Sequence, residues 1–177
     1  MNYQSAIATT DTVWGLIAKP SEANVEKIYQ LKGRDRNKAL IIFAKSIDTL
    51  KELSEGWDPV IEELAAKHWP GELTIVMKRS AKLPEWLNPG LETIGMRIPN
   101  SPTVSSLFGE EKFLLSTSAN LSGQKPVANY QEALEQFEGK VDLILERDES
   151  TGEASTIISY LDGEISVLRQ GALELSS

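Results

Sequence analysis

The chain of 177 residues is long enough for one well-buried domain and short for two, so we expect a single domain over residues 1–177. Hydrophobic residues make up 41% and charged residues 25%, which are ordinary globular values, and the net charge of −8 argues against a general nucleic-acid coat. Because the chain has no cysteine and one histidine, disulfides, thiolate catalysis and multi-histidine metal centres are excluded.

The chain begins with a predicted strand over residues 3–10, which ends in the hydroxyl-rich segment Thr9-Thr10-Asp11-Thr12. These side chains offer donors and acceptors without bulk, as a ligand site requires. The same residue types also favour helix caps and Asx turns. Both interpretations stay open on the sequence alone.

A basic loop follows the first predicted helix, which Ser21 caps, and it places four cations within seven residues: Lys32, Arg34, Arg36 and Lys38. In an extended segment, spacing by two puts the first three cations on one face, where a phosphate would relieve their repulsion. The alternative is a solvated helix end whose cations complement the helix macrodipole.

The middle of the chain alternates between strands and helices. A strand over residues 40–44 precedes a helix opened by Ser46, and Asp58-Pro59 opens a second helix that ends at His68. His68 is interpreted as completing that helix end rather than as a catalytic residue. A strand over residues 73–77 follows.

The predicted strand over residues 92–98 alternates, with Thr93, Gly95 and Arg97 on one face and apolar side chains on the other. Small neighbours beside an arginine leave space over the sheet for a ligand carboxylate or phosphate. An exposed cation on an edge strand is the competing interpretation.

A second polar segment follows the helix that starts at Ser101-Pro102. The buried strand that begins at Phe113 leads into residues 116–123, which contain consecutive hydroxyls, an amide and a glycine. Such a segment presents backbone and side-chain donors that can hold anionic oxygen or a nucleotide.

The last third of the chain contains one more helix, capped by Asn129, and then mainly strands. Strands are predicted over residues 141–145, 155–158 and 165–169, and Asp162-Gly163 predicts a two-residue type I′ hairpin turn. Because helices alternate with strands at first and hairpins dominate at the end, the pattern predicts an α/β fold with a mixed, twisted sheet.

Five ordered stretches resemble the YrdC-type (TsaC-like) family of threonylcarbamoyl-AMP synthases: residues 10–16 (TDTVWGL), 32–34 (KGR), 69–74 (WPGELT), 97–99 (RIP) and 116–123 (STSANLSG). Two further stretches, residues 155–157 and 168–171, are similar to the last signatures of the family. The matches span nearly the whole chain. They imply a single-domain YrdC-like fold, a twisted mixed sheet with flanking helices and a concave ligand-binding surface.

The resemblance also implies an activity: a nucleotidyltransferase that joins L-threonine, bicarbonate and ATP into threonylcarbamoyl-AMP and releases pyrophosphate. The product serves the threonylcarbamoyladenosine modification of tRNA, so the implied partners are tRNA and the proteins that transfer the threonylcarbamoyl group. Mg²⁺ would be carried with ATP, and no metal site of the protein itself is expected.

The site residues are carried over by motif. Lys32, Arg34, Ser118 and Asn120 match the catalytic residues that face the ATP phosphates. Thr93 and Arg169 match further ATP contacts. Three more residues match positions near the threonine: Thr10, Arg97 and Ser155.

Two other functions remain open on the sequence, a different carbamoyl-transferring enzyme and a non-catalytic RNA-binding module. The RNA module predicts salt-sensitive binding without nucleotide turnover. No apolar run approaches a membrane span, and the first residues lack the features of a signal peptide. We therefore expect a cytoplasmic protein that does not contact a membrane.

Overall fold

The computed structural model describes residues 2–35 and 38–175. Within them, helices and strands follow in the order β1 (Ser5–Ala8), β2 (Gly15–Ala18), α1 (Glu22–Lys32), β3 (Ile41–Ala44), α2 (Ile47–Leu53), β4 (Ser54–Glu55), α3 (Pro59–His68), β5 (Leu73–Arg79), β6 (Thr93–Arg97), α4 (Pro102–Leu107), β7 (Phe113–Ser118), α5 (Tyr130–Phe137), β8 (Leu143–Leu145), β9 (Thr156–Leu161) and β10 (Glu164–Arg169). None of these helices is long and apolar enough to cross a membrane.

Every helix begins at a polar residue whose side chain accepts a hydrogen bond from the first turn. These N-caps are Ser21, Ser46, Asp58, Ser101 and Asn129. They are the positions that the sequence marks as helix starts, and proline follows the cap at the first helical position of α3 and α4. The predicted helix starts are therefore confirmed.

The ten strands within the described residues form one mixed sheet in the order β10-β9-β5-β6-β3-β7-β2-β1-β8, with β4 paired to β5. Three pairs are parallel, namely β1 with β8, β3 with β6 and β5 with β9. The other pairs are antiparallel. The predicted α/β class with a mixed sheet is confirmed.

The two faces of this sheet are covered differently. On one face, buried side chains of α1, α2, α3 and α5 pack with alternate strand residues into the larger hydrophobic cluster. On the other face, the smaller cluster contains Val104 and Leu107 of α4 together with Ile17, Phe43 and Leu114 from β2, β3 and β7. Of the helices that the structure describes, α4 alone contributes to this cluster, so helices cover the second face only in part.

Several strand boundaries differ from the prediction. The first strand covers Ser5–Ala8 rather than residues 3–10, because the hydroxyls of Thr9 and Thr10 bond to neighbouring loops and turns. The two-residue strand β4 was not predicted. At the terminal hairpin, Asp162 has φ 54° and Gly163 has φ 82°, which confirms the type I′ turn.

Asn88 fixes the start of β3, just after the basic loop. Its side chain accepts from the backbone N–H of Leu40 at 2.8 Å and donates to the carbonyl of the same residue at 2.8 Å. It is 1% exposed and lies in the left-handed region with φ 50°. The amide thus replaces a neighbouring strand at the point where the chain enters the sheet.

We expect Asn88→Ala to lower the free energy of unfolding, because each backbone group of Leu40 left unpaired costs about 1–3 kcal/mol. Denaturant unfolding measures the loss. Asn88→Gly is the matched variant, because glycine accepts the left-handed backbone but has no amide. A glycine variant as stable as the wild type would show that backbone conformation, not the two hydrogen bonds, determines the effect.

Candidate functional site

A cavity of about 440 Å³ opens on the sheet face that α4 covers only in part. Its lining includes Phe43, which belongs to the α4-side cluster, and Ile41, which packs against it. The described lining also has three arginines, Arg34, Arg97 and Arg169, and seven hydroxyl side chains, Thr10, Thr12, Thr74, Ser116, Thr117, Ser118 and Ser155. The cavity has the size of an ordinary small-molecule site.

The structure brings most of the predicted site residues to this cavity. The predicted residues that line it are Thr10, Arg34, Arg97, Ser118, Asn120, Ser155 and Arg169. Two predicted residues are not among the lining residues. Lys32 is buried and bonds to the lining residue Asn120, and Thr93 pairs with Lys78 at the start of β6. The predicted roles of all nine residues stay predictions.

The first residues of the basic loop, 32–34, are not the extended segment that the spacing predicts. Lys32 is the last residue of α1, and Gly33 ends the helix in the left-handed conformation with φ 55°. The N–H groups of Gly33 and Arg34 turn back to the carbonyls of Gln30 and Tyr29. Lys32 and Arg34 therefore do not share a face, and the third predicted cation, Arg36, lies outside the described residues.

Lys32 is 2% exposed and is not the solvated helix end of the alternative interpretation. Its ammonium donates to the carbonyl of Ser118, to the carbonyl of Asn120 at 3.0 Å and to Asn120 Oδ1 at 2.8 Å. Its own carbonyl accepts from Ser122 N at 2.8 Å. Lys32 thus ties the end of α1 to the loop after β7.

Burial lowers the pKa of the Lys32 ammonium to about 7, and the positive charges of Arg34 and Lys38 act in the same direction. Its three hydrogen-bond acceptors match the three donors of the charged form. The three acceptors therefore favour the charged form of the amine, whereas its burial disfavours that form.

Asn120 has all of its amide groups engaged. Its Oδ1 accepts from Lys32 and from Ser118 Oγ at 2.6 Å, while its Nδ2 donates to the carbonyls of Leu121 at 3.0 Å and Gln124 at 2.8 Å. Because the Ser118 hydroxyl donates to Asn120, its lone pairs remain to face the cavity. The Lys32, Ser118 and Asn120 side chains form one connected network.

Arg34 has an incomplete set of partners among the described residues. Its Nη1 donates to Thr117 Oγ1 at 2.8 Å and its Nη2 donates to the carbonyl of Ala39 at 2.9 Å. Its Nε is buried and has no hydrogen-bond partner there. Among the described residues, the second N–H of Nη1 and the second N–H of Nη2 have no partner, and Arg34 lines the cavity, so the guanidinium is suited to an anion there.

Arg97 is a buried residue of a central strand, so the interpretation as an exposed edge cation is wrong. It is 3% exposed, and β6 lies between β5 and β3. Its Nη2 contacts Asp11 Oδ1 at 2.5 Å, its Nη1 donates to Thr12 Oγ1 at 2.8 Å and its Nε donates to the carbonyl of Gly71 at 2.8 Å. Burial lowers the pKa of this guanidinium, and Asp11 opposes that shift.

The predicted space above Gly95 is occupied. A Cβ added to Gly95 would lie 2.9 Å from Cγ2 of Ile41, so the isoleucine side chain packs over the glycine. The cavity opens beside Ile41 rather than above Gly95.

The hydroxyl-rich segment forms both a turn and part of the cavity wall. Thr10 Oγ1 donates to the carbonyl of Val13 at 2.7 Å and accepts from Thr12 N at 3.1 Å. Thr10 and Thr12 both line the cavity. The turn interpretation and the site interpretation are therefore compatible.

Ser155 and Arg169 form another part of the cavity wall. Arg169 donates to the carbonyl of Ser155 through Nε at 3.1 Å and through Nη2 at 2.7 Å. The Ser155 hydroxyl lies 2.8 Å from Thr74 Oγ1. Burial lowers the pKa of Arg169, and the nearby charge of Arg97 lowers it further.

The lining is cationic on an acidic protein. The lining residues that the structure describes include three arginines and no carboxylate. Asp11, next to Arg97, is already bonded to that arginine and to the N–H of Asn100 at 3.0 Å. In the described part of the chain, no group of three or more acidic, histidine or cysteine side chains is placed to hold a metal ion.

Sequence reasoning gave no separate roles to Asp11, Thr12, Thr74 and Thr117, although each contacts an arginine or serine of the site. The position of Thr74 on the cavity face could have been predicted from the sequence. It lies between Leu73 and Ile75, which belong to the larger cluster, so period-two alternation directs it to the opposite face. Asp11 and Thr117 depend on long-range contacts that no local pattern indicates.

Known proteins match the chain in both sequence and structure. The Sua5/YciO/YrdC family model, described as telomere recombination, matches residues 4–171. A threonylcarbamoyl-AMP synthase of Pyrococcus abyssi is 33% identical over 169 residues, which cover 94% of this chain and 50% of that protein. Another threonylcarbamoyl-AMP synthase, from Pseudoalteromonas translucida, is 34% identical over 163 residues, covering 88% of this chain and 86% of that protein.

The crystal structure of P. abyssi Sua5 complexed with L-threonine superimposes with a TM-score of 0.88 at 32% identity. The match covers 95% of this chain and 50% of the other, so this chain spans about half the length of that relative. The family model extends over almost the entire sequence, and it includes every predicted residue that lines the cavity. The chain therefore belongs to the Sua5/YciO/YrdC family.

Proposed function

We propose that this protein is an L-threonylcarbamoyladenylate synthase, which forms threonylcarbamoyl-AMP and pyrophosphate from L-threonine, bicarbonate and ATP. The observation that carries the proposal is the convergence of five separate sequence stretches on one arginine-lined cavity. The names of the P. abyssi and P. translucida relatives, and the threonine complex of the former, support it.

The chemistry suits a site without cysteine or histidine. The threonine amine attacks the carbon of bicarbonate-derived carbon dioxide, loses a proton and becomes a carbamate. A carbamate oxygen then attacks the α-phosphorus of ATP, and the bond from that phosphorus to the bridging oxygen of the β-phosphate breaks as pyrophosphate leaves. No protein nucleophile is needed, so the protein contributes positioning and charge.

The ATP phosphates belong at the Arg34 side of the cavity. Arg34 lines the cavity and uses one N–H of Nη1 and one of Nη2 for Thr117 and Ala39, so the second N–H of each can serve a phosphate oxygen. Ser118, at the end of β7, also lines the cavity, and its hydroxyl would donate to a phosphate on turning away from Asn120 Oδ1. We assign Lys32 and Asn120 to the same phosphate subsite as the groups that hold its loop. Arg169 would contact the nucleotide from the cavity wall. Thr93 is not part of that wall, so it would contact only a portion of the nucleotide that extends outside the cavity.

The threonine belongs at the Arg97 side. Arg97 is fixed by Asp11, Thr12 and the Gly71 carbonyl, and these bonds occupy one donor on each of its three nitrogens. Two N–H groups remain for a carboxylate. The hydroxyls of Thr10 and Ser155 lie in the same cavity, where they would contact the side chain of the substrate threonine and select for it.

Mg²⁺ would arrive with ATP and neutralise charge on its phosphates, since the described residues offer no carboxylate cluster for it. The product would pass to tRNA through proteins that transfer the threonylcarbamoyl group, in the cytoplasm. We also propose that residues 1–177 act as one domain, because one sheet contains strands from β1 to β10.

The RNA-binding alternative is disfavoured by where the cations lie. Lys32 and Arg97 are buried, and Arg34 bonds to the cavity wall rather than projecting from a surface. An RNA-binding face would need exposed cations and stacking aromatics. A different carbamoyl-transferring activity remains the rival, and substrate dependence distinguishes it.

We expect pyrophosphate release only when ATP, L-threonine and bicarbonate are all supplied, with L-serine as a poor substitute for threonine. Serine lacks one methyl group, whose loss from a fitted pocket costs about 1–3 kcal/mol. A coupled pyrophosphate assay with each substrate omitted in turn measures both effects. Release without bicarbonate, or equal turnover with serine, would contradict the proposal.

Arg34→Lys should retain little activity, because a point charge cannot reproduce the geometry of a guanidinium bound to two wall oxygens and a phosphate. We expect turnover to fall tenfold or more, as the loss of a charge-assisted bond costs about 1.5–3 kcal/mol. The Michaelis constant for ATP should change less, because the interaction strengthens as pyrophosphate leaves.

Lys45→Ala is the control for Arg34→Lys. Lys45 is an exposed cation outside the cavity lining, and its amine donates to the carbonyl of Gly109. Its loss should leave turnover at the wild-type level. Similar kinetics for the two variants would show that Arg34 does not hold the ATP phosphates.

Lys32 predicts a pH dependence of stability. Its pKa of about 7 in the folded protein lies below the unfolded value of 10.5, so the unfolded state binds more protons between these values. The stability of the wild type relative to Lys32→Met should therefore rise as pH increases above 7 and level off near 10.5. Denaturant unfolding of both proteins from pH 6 to 9 tests this. A constant difference would show that the amine titrates at its ordinary pKa.

A further inference from the structure

The segment 169–173, which we call the strap, leaves β10 and turns back over the start of β9. The N–H of Gly171 donates to Thr156 Oγ1 at 3.0 Å, and the same hydroxyl donates to the carbonyl of Leu173 at 2.6 Å. The N–H of Ala172 donates to the carbonyl of Ala154 at 2.9 Å. The strap is thus bonded to three consecutive residues, since Arg169 also binds the carbonyl of Ser155.

Gly171 has no room for a side chain. An added Cβ would lie 2.6 Å from both the carbonyl carbon and the carbonyl oxygen of Ser155, and closer still to the carbonyl oxygen of Ala154. These atoms belong to the backbone, so no side-chain rearrangement can relieve the clash. The backbone of the strap therefore rests directly on the backbone of residues 154–155.

The residues beneath and at the end of the strap form part of the cavity wall. Ala154, Ser155 and Arg169 all line the cavity. Thr156 does not line it: its side chain is fully buried, and its hydroxyl uses both its donor and an acceptor position on the strap. Thr156 can therefore influence a ligand only through the wall residues.

We propose that Thr156 and Gly171 are positioning residues that seat the strap on residues 154–155 and thereby fix the Ser155 hydroxyl and the Arg169 guanidinium in the cavity wall. The identity of the ligands rests on the proposed function. The seating itself rests only on the contacts described above. A displaced strap would move both wall residues together, so the affinity for threonine and for ATP would fall in parallel.

The central test compares Thr156→Val with Thr156→Ser. Valine keeps the shape but leaves the Gly171 N–H and the Leu173 carbonyl unpaired, whereas serine keeps the hydroxyl. We expect Thr156→Val to raise the Michaelis constants for threonine and ATP about fivefold, which corresponds to the loss of roughly one hydrogen bond, with a smaller change in kcat. Thr156→Ser should keep both Michaelis constants near the wild-type values.

Tyr160→Phe controls for general destabilisation of β9. Tyr160 lies toward the far end of the same strand, where its hydroxyl donates to Asp58, and it does not line the cavity. This variant should unfold more readily yet keep wild-type Michaelis constants. If Tyr160→Phe raises the Michaelis constants as much as Thr156→Val does, the increase results from lower stability of β9, and the strap proposal is overturned.

Amide hydrogen exchange at Gly171 and Ala172 gives a readout that does not depend on turnover. Exchange should be faster in Thr156→Val, and Gly171→Ala should have the same effect if the valine variant does not fold. Unchanged exchange, or faster exchange with unchanged Michaelis constants, overturns the strap proposal. A wild-type protein that releases no pyrophosphate from the three substrates instead overturns the proposed function, and the exchange measurement still decides the seating of the strap.

Discussion

The alternation of side chains along the central strands is the constraint on which the site depends. Leu73, Ile75, Ile94 and Met96 face the helix-covered side and pack into the larger cluster. The residues between and beside them must then face the other side, where α4 is the one described helix that contributes to the smaller cluster. Polar residues at those positions would destabilise a closed hydrophobic core, but here they line an open cavity.

The end of α1 separates two cations that are close in sequence. Because Gly33 takes the left-handed conformation, Lys32 stays with the helix and becomes buried, while Arg34 emerges on the cavity wall. The ammonium donates to three oxygens of Ser118 and Asn120, whereas the guanidinium has two hydrogen-bond partners among the described residues. One cation therefore organises the site, and the other is left with capacity for a ligand.

Local sequence patterns predicted the helix starts and most strands, because capping and alternation act over a few residues. The pocket was predicted through ordered motifs, and most of the matched residues do converge there. One failure is local and the other is long-range. Spacing by two suggested an extended basic segment, but the geometry of one glycine overrides it, and the small residue Gly95 suggested a space that Ile41 fills from the neighbouring strand.

The arginine side chains of the site are held in place by hydrogen bonds before any ligand binds. Arg97 is fixed by Asp11, Arg169 by the Ser155 carbonyl and Arg34 by Thr117, so none of the three guanidinium groups needs to be ordered on binding. Among the residues that the structure describes, a carboxylate contacts Arg97 but neither of the other two, and burial disfavours the charge on all three. An anion that enters the cavity relieves that cost, and a transition state that gathers more negative charge relieves more of it. Preorganised positive charge of this kind favours a departing polyphosphate over a neutral ligand of the same size.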